Sequence, residues 1–303
     1  MRSRFRTVIL LLWLAPPCSQ ALDSPAASDP MVGREFAYTV QAGDSLTGVG
    51  ARFGQSASLL ARDNGLRGDA RLKPGQLLRV DSRHIVPEPL PNGILINSPQ
   101  RMLFHFDNGV LHAAYAVGLG RADWATPTGS FKVVTLEENK TWIVPKSIQD
   151  EMLREGQTVQ ARVPPGPDNP LGRHWIGLSL PGYGIHGTIA PTSIYQFRSH
   201  GCIRLHPDDV AELFGAIHIG DPGRIVYTPV LLASRDEGRI LLEVHPDVYK
   251  KGPEPLAAVR SLAAARNILH LLDWAKVAAV IREQAGVPRD VSLPGAGEAK
   301  EGE

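Results

Sequence analysis

The apolar positions of this chain change period several times, and each change marks an element. Arg2, Arg4 and Arg6 precede the apolar run from Val8 to Leu14. A basic start on a hydrophobic stretch too short to span a bilayer is the pattern of a secretory signal. Small residues at Ser19 and Ala21 place cleavage after Ala21, so residues 1–21 are expected to be removed. Residues 22–35, rich in Ala, Ser, Asp and Pro, read as a flexible leader. From 36 to 82 a strand at Tyr38 to Val40 is followed by the turn Gly43-Asp44-Ser45 and an amphipathic helix carrying Leu46, Val49 and Phe53. A second helix at Leu59-Leu60 ends at Asn64-Gly65, and the turn Lys73-Pro74-Gly75 leads into Leu77 to Val80. The order is βααβ, and so small a unit leans on its turn chemistry. Pro87, Pro89 and Pro91 make residues 83–91 a linker.

Residues 92–230 alternate apolar and polar positions between repeated turn signals, which predicts a mainly β domain. Strands are expected at Gly93 to Asn97, Met102 to Phe106, Val110 to Val117, Trp175 to Leu180 and Arg224 to Tyr227, with Asp107-Asn108-Gly109 as a hairpin turn. Pro207, the early acids Asp208 and Asp209, and the spacing of Val210, Leu213, Phe214 and Ile217 predict a helix. Asn139 to Val163 is weakly patterned, with a short helix near Ile148 to Leu153. Residues 231–285 hold a strand at Ile240 to Val244 and then Ala and Leu at helical spacing from Leu256, with a helix around Trp274 to Gln284. The polar end, 286–303, reads as disordered. The fold class is mixed α+β: a mainly β domain, preceded by a small βααβ unit and followed by an α-rich extension.

A formal net charge of +1 points to neither nucleic acid nor a polyanionic partner. No long apolar run follows the signal, so no membrane span is expected in the mature chain. No zinc spacing, phosphate loop or dinucleotide fingerprint occurs, so no metal and no cofactor are expected. Of the two cysteines, Cys18 lies in the segment to be removed, and Pro16-Pro17 before it fits a lipidation signal poorly. Cys202 is then a lone exported thiol, either a small core residue or a nucleophile. If Ser199 to Leu205 is extended, His200, Cys202 and Arg204 share a face, and an imidazole and a cation beside the sulfur favour thiolate. Gly201 would admit a substrate carbonyl, with N–H groups around Gly201 and Cys202 to stabilise an oxyanion. His186, flanked by Gly184 and Gly187, is a second candidate base, and the residues alone do not rank it against His200. His206 and His218 have no comparable setting and read as structural.

Ser199-His200-Gly201-Cys202, preceded by His186-Gly187, resembles the YkuD-type L,D-transpeptidases, and Cys202-Ile203-Arg204-Leu205 resembles their ErfK/YbiS branch. Arg204 stands where many members carry Asn. Thr126-Pro127-Thr128-Gly129-Ser130-Phe131 and Asn169-Pro170-Leu171-Gly172 are similar to further elements of that family. The resemblance implies a β-sandwich in which Cys202 is the nucleophile and His186 its base, oriented by the Gly187 carbonyl. Ser199, His200 and Gly201 would shape the pocket and oxyanion site. It implies attack on the bond between diaminopimelate and the terminal D-alanine of a tetrapeptide stem, then transfer from a thioester to an amine. The amine of another stem gives a 3-3 cross-link, a lysine of an outer-membrane lipoprotein gives wall anchoring, and water makes a hydrolase. A peptidoglycan-binding protein without catalysis is the other class. Residues 36–82 are similar to the LysM module, which implies binding of glycan strands through Gly43, Asp44, Ser45 and Lys73, Pro74, Gly75. Such a protein belongs in the periplasm, in cell-wall organisation and cell shape. Asn139 to Val163 is placed as a flap over the donor peptide. Arg204 is left with three readings, a substrate carboxylate partner, a cation that lowers the thiol pKa, or a structural ion pair.

Overall fold

The computed structural model describes residues 31–235 and 238–294. The expected signal and most of the expected leader lie outside the described residues. In the small N-terminal unit, strand Glu35–Thr39 pairs antiparallel with Leu77–Asp81. Helix α1 (Leu46–Phe53) is capped by Ser45 Oγ, which accepts from the Gly48 N–H at 3.0 Å, and ends at Gly54 with φ of 68°. Helix α2 (Ala57–Asp63) is capped by Ser56. Val49, Phe53, Leu60, Leu78 and Val80 close the core of this unit.

The larger domain is built on an eight-stranded sheet. Its order is Ile203–Arg204, Gly184–His186, His174–Leu178, Gly129–Glu138, Pro222–Val226, Gly93–Asn97, Met102–Asp107 and Val110–Ala116. Only the pairings of Ile203–Arg204 with Gly184–His186 and of Pro222–Val226 with Gly93–Asn97 are parallel. Residues from both ends of that order, among them Ile203, Ile185, Ile94, Leu103 and Tyr115, share one apolar cluster with Val210 and Leu213, so the sheet curls around its core. Val210 and Leu213 come from helix α4 (Pro207–Ala216), while helix α3 (Lys146–Arg154) lies in the weakly patterned stretch and sits on a small cluster of Val144, Ile148 and Val163. The alternate residues Leu95, Met102, Phe104 and Ala114 face the other way and meet Ala51 of α1.

Three expectations fail at the seams. Met31–Val32, placed in the flexible leader, pairs with His84–Ile85, placed in the linker, and all four residues are buried. Met31 and Ile85 cover Leu231, Ala233 and Leu241 of the C-terminal sheet, which would otherwise be open to water on that face. That sheet joins Val230–Ser234, Ile240–Val244 and Arg289–Asp290, and helices α5 (Pro255–Ala265) and α6 (Trp274–Glu283) pack on it through Val259, Ala263, Val277 and Val280. Residues 286–294, placed in a disordered tail, thus supply its third strand, with Val287 and Val291 buried. Two-residue strands carry no periodicity for a sequence to display.

One buried carboxylate ties the three parts together. Glu243 Oε1 lies 2.9 Å from His84 Nδ1, 2.7 Å from His245 Nε2 and 2.9 Å from Gln100 Nε2, and the Ile85 N–H donates to Oε2 at 2.6 Å. His84 Nε2 faces the Gly54 carbonyl at 2.8 Å, so the ring bridges the N-terminal unit to Glu243. Burial alone would raise the Glu243 pKa, but His84 and His245 hold it down at about 2.

Candidate active site

His186 closes strand Gly184–His186 and is 3% exposed. Its Nδ1 lies 2.6 Å from the Gly187 carbonyl oxygen, so that nitrogen carries the proton and Nε2 keeps a free lone pair. On the other side the ring stacks on Trp175, centroids 5.7 Å apart at 18°. Gly184 makes room for that indole, since a Cβ there would come within 2.4 Å of it.

Cys202 sits just before strand Ile203–Arg204, which runs parallel to Gly184–His186 with Ile185 opposite Ile203 and His186 opposite Arg204. Its half-buried sulfur lies 3.9 Å from the Gly182 carbonyl. His186, Cys202 and Arg204 all line one cleft of about 940 Å³, walled by Trp124, Trp142, Trp175, Tyr183 and helix α3. A network beneath the sulfur fixes its turn. Ser199 Oγ donates to the Cys202 carbonyl at 2.6 Å and accepts the Gly201 N–H at 3.1 Å, while buried Thr126 Oγ1 donates to the Gly201 carbonyl at 2.9 Å and accepts the Gly120 N–H at 3.0 Å. Tyr249, from the C-terminal extension, donates its hydroxyl to the Gly120 carbonyl at 2.6 Å. Gly201 has φ of +102°, and a Cβ there would meet the Tyr183 ring at 2.6 Å.

These contacts correct the expected arrangement. Ser199 to Leu205 is not one extended strand: it breaks at Gly201, and His200 turns to the Glu151 carboxylate of α3 with its ring edge on Trp124, 4.6 Å between centroids. Glu151 also holds Arg121 at 2.6 Å. The Gly201 N–H is occupied by Ser199, which leaves the Cys202 N–H, unpartnered among the described residues, as the candidate oxyanion donor. The charge expectation also reverses. Burial, helped by Arg204, lowers His186 to about 4, and burial raises the Cys202 thiol against the smaller pull of the Gly184 backbone and Arg204. The free site therefore rests as thiol and neutral imidazole.

In the N-terminal unit, Gly43 and Gly75 adopt φ of 92° and 84° at exposed turns with open space around them. The Asp44 carboxylate accepts from the Tyr38 hydroxyl and the Gln41 N–H, each at 2.7 Å, and Ser45 caps α1, so both side chains serve the fold. Lys73 and Pro74 are exposed beside Gly75. Among the described residues His84, Glu243 and His245 form the cluster whose ligand atoms, within 4.8 Å, could hold a metal. Contacts of 2.7–2.9 Å are hydrogen-bond lengths, and Gln100 and Ile85 fill the same carboxylate, so protons complete it.

Residues 91–227 match the L,D-transpeptidase catalytic domain, and residues 38–81 match the LysM domain. The chain is 30% identical over 233 residues to the probable L,D-transpeptidase YcfS of Escherichia coli K12, covering 75% of this chain and 73% of that one. This chain belongs to the L,D-transpeptidase family. The probable L,D-transpeptidase ErfK/SrfK of the same strain is 29% identical over 280 residues, 88% of this chain and 89% of that one, and the probable L,D-transpeptidase YbiS is 31% identical over 175 residues, 57% of each. As an L,D-transpeptidase family member it carries supports that sequence reasoning missed: Thr126 and Tyr249 under Gly201, and Glu151 across from His200. The Thr126 motif hinted at the first; no local signal announced Tyr249, which acts from 48 residues beyond Gly201.

Proposed function

We propose that Cys202 and His186 carry an L,D-transpeptidase reaction on peptidoglycan. In this reading His186 Nε2 takes the thiol proton as the sulfur attacks the carbonyl that joins diaminopimelate to the terminal D-alanine of a tetrapeptide stem. The Cys202 N–H stabilises the oxyanion, and the proton passes to the departing amine, leaving a thioester. An amine then attacks the thioester, His186 removes its proton, and the thiol is restored. Two moderate steps replace one difficult amide exchange. The observation that carries this reading is the shared cleft: a histidine whose Nδ1 is pinned by its own neighbour's carbonyl, opening on the chamber that holds the half-buried thiol.

The amine is the side chain of a second stem, giving a 3-3 cross-link, with a lipoprotein lysine as the alternative acceptor and water as the hydrolytic one. Export by residues 1–21 puts the enzyme in the periplasm, where it acts in cell-wall organisation and cell shape. The exposed turns at Gly43 and at Lys73, Pro74 and Gly75 hold a glycan strand through backbone and main-chain shape, with Asp44 and Ser45 setting the first turn. The stretch Asn139 to Val163, carrying α3, is the flap over the donor. Incubation of the purified protein with tetrapeptide muropeptides, read by mass spectrometry, should give cross-linked product and free D-alanine. Tripeptide alone would point to hydrolysis, and unchanged substrate to binding only. Product formation by Cys202→Ala would remove the nucleophile.

A further inference from the structure

Among the charged side chains of the cleft, Arg204 differs from its neighbours. Arg121 is paired with Glu151 and Asp123, and Lys140 with Glu137. Arg204 has no carboxylate partner among the described residues, and its buried Nε has no acceptor. Its backbone exchanges two hydrogen bonds of 2.8 Å with Gly118, so the base of the side chain is fixed. Burial lowers its pKa, and Cys202 favours its charge only when the sulfur is a thiolate. A permanent cation left without a counter-ion in a partly dry site is unfavourable until an anion arrives. Among the described residues a structural ion pair, one of the readings open in the sequence, is therefore absent.

The position of the cation limits which anion fits. Arg204 lies two residues past Cys202, roughly 6.5 Å along extended chain, and lines the same cleft. In a donor peptide with one residue after the scissile bond, the terminal carboxylate is three bonds from the attacked carbonyl, within roughly 4 Å of it. With the carbonyl at the sulfur, that carboxylate falls within reach of the guanidinium. We propose that Arg204 is a specificity residue that binds the free α-carboxylate of the leaving residue, and so restricts the enzyme to bonds one residue from a chain end. This rests on the transpeptidase reading above. No bond changes at Arg204: it holds the carboxylate through charge-assisted hydrogen bonds while the acyl group moves to sulfur, and releases it with the amine.

The test compares three donors with the wild-type enzyme: the free acid, the same peptide ending in a carboxamide, and a peptide amidated instead at the diaminopimelate side-chain carboxylate. Acylation is followed by release of the terminal residue. The free acid and the side-chain amide should be used alike, and the terminal carboxamide about 30-fold more slowly in kcat/KM. Arg204→Met should bring the acid-to-carboxamide ratio close to one, and Arg204→Lys should keep part of it. Equal use of acid and carboxamide by the wild type overturns the proposal without any variant, as does a loss that follows the side-chain amide. If Arg204 served only the sulfur, Arg204→Met would slow all three donors equally and shift the pH dependence of iodoacetamide alkylation, leaving the ratio intact, which also overturns it. Failure of the wild type to use any donor while Cys202 still alkylates would overturn the reading beneath it instead.

Discussion

Thr126 offers the sharpest test of how the nucleophile is held. Its buried hydroxyl bridges the Gly120 N–H and the Gly201 carbonyl, at 3.0 and 2.9 Å. Thr126→Val keeps the branched shape but leaves both backbone groups buried and unsatisfied, since no other partner for the Gly201 carbonyl occurs among the described residues. Each orphaned group costs about 1–3 kcal/mol, so the variant should lose about 3 kcal/mol. For a chain of this size that corresponds to a melting temperature lower by about 5 °C. Because the released carbonyl belongs to the residue before Cys202, the turn that aims the sulfur also loosens. Displacements near 1 Å at a reacting atom cost about 10- to 100-fold in rate. Calorimetry and the initial rate of product formation from tetrapeptide muropeptides read the two effects on one sample. A valine variant that melts within about 1 °C of the parent and turns over at its rate would refute the argument that this bridge sets the site.

The remaining predictions are simpler. With His186 at about 4 and the Cys202 thiol raised, alkylation of Cys202 by iodoacetamide should keep accelerating with pH beyond the ordinary thiol range, with no step between pH 5 and 7 from His186; a plateau already complete at pH 6 would contradict the neutral resting pair. Gly201→Ala puts a methyl against Tyr183 at a φ that alanine resists, so stability should fall by about 2 kcal/mol and turnover with it, whereas urea unfolding at the wild-type midpoint would speak against strain there. Glu243 is held near 2 in the fold, below its usual 4.5, so its charge stabilises the protein fully above about pH 4.5, and that contribution disappears as pH falls through about 2. Glu243→Gln, which leaves donors facing an amide, should lower stability at neutral pH by about 3 kcal/mol and flatten the acid limb of the unfolding curve; an unchanged acid limb would assign that limb to other groups.

What could be read in the sequence was local. The turn Gly43-Asp44-Ser45 before Leu46 announced α1, Asp107-Asn108-Gly109 announced a hairpin whose Asn108 and Gly109 adopt φ of 51° and 75°, and Pro207 with two acids announced α4. His-Gly and Ser-His-Gly-Cys announced which residues to bring together. What could not be read depends on contacts distant in the chain. Nothing near His84 says that it meets Glu243, 159 residues on, and nothing near Tyr249 says that it supports Gly120. His200 misled for a related reason: alternation predicts a face only while the backbone stays extended, and Gly201 breaks it by adopting φ of +102°. The resting charge state was hidden because proximity of a cation is visible in a sequence and dehydration is not.

Helix α1 presses Ala51 against Ile194 and Tyr195, in the stretch that runs from His186 to Cys202, and Arg52 reaches His206 just beyond it at 2.6 Å. A domain on a string lets a reactive group roam a sphere around its mooring. Here the small N-terminal unit is bolted to the very segment that spaces imidazole from sulfur, so wherever that unit settles, the thiol stands at one set offset, and swapping in a longer connector cannot lengthen its stride.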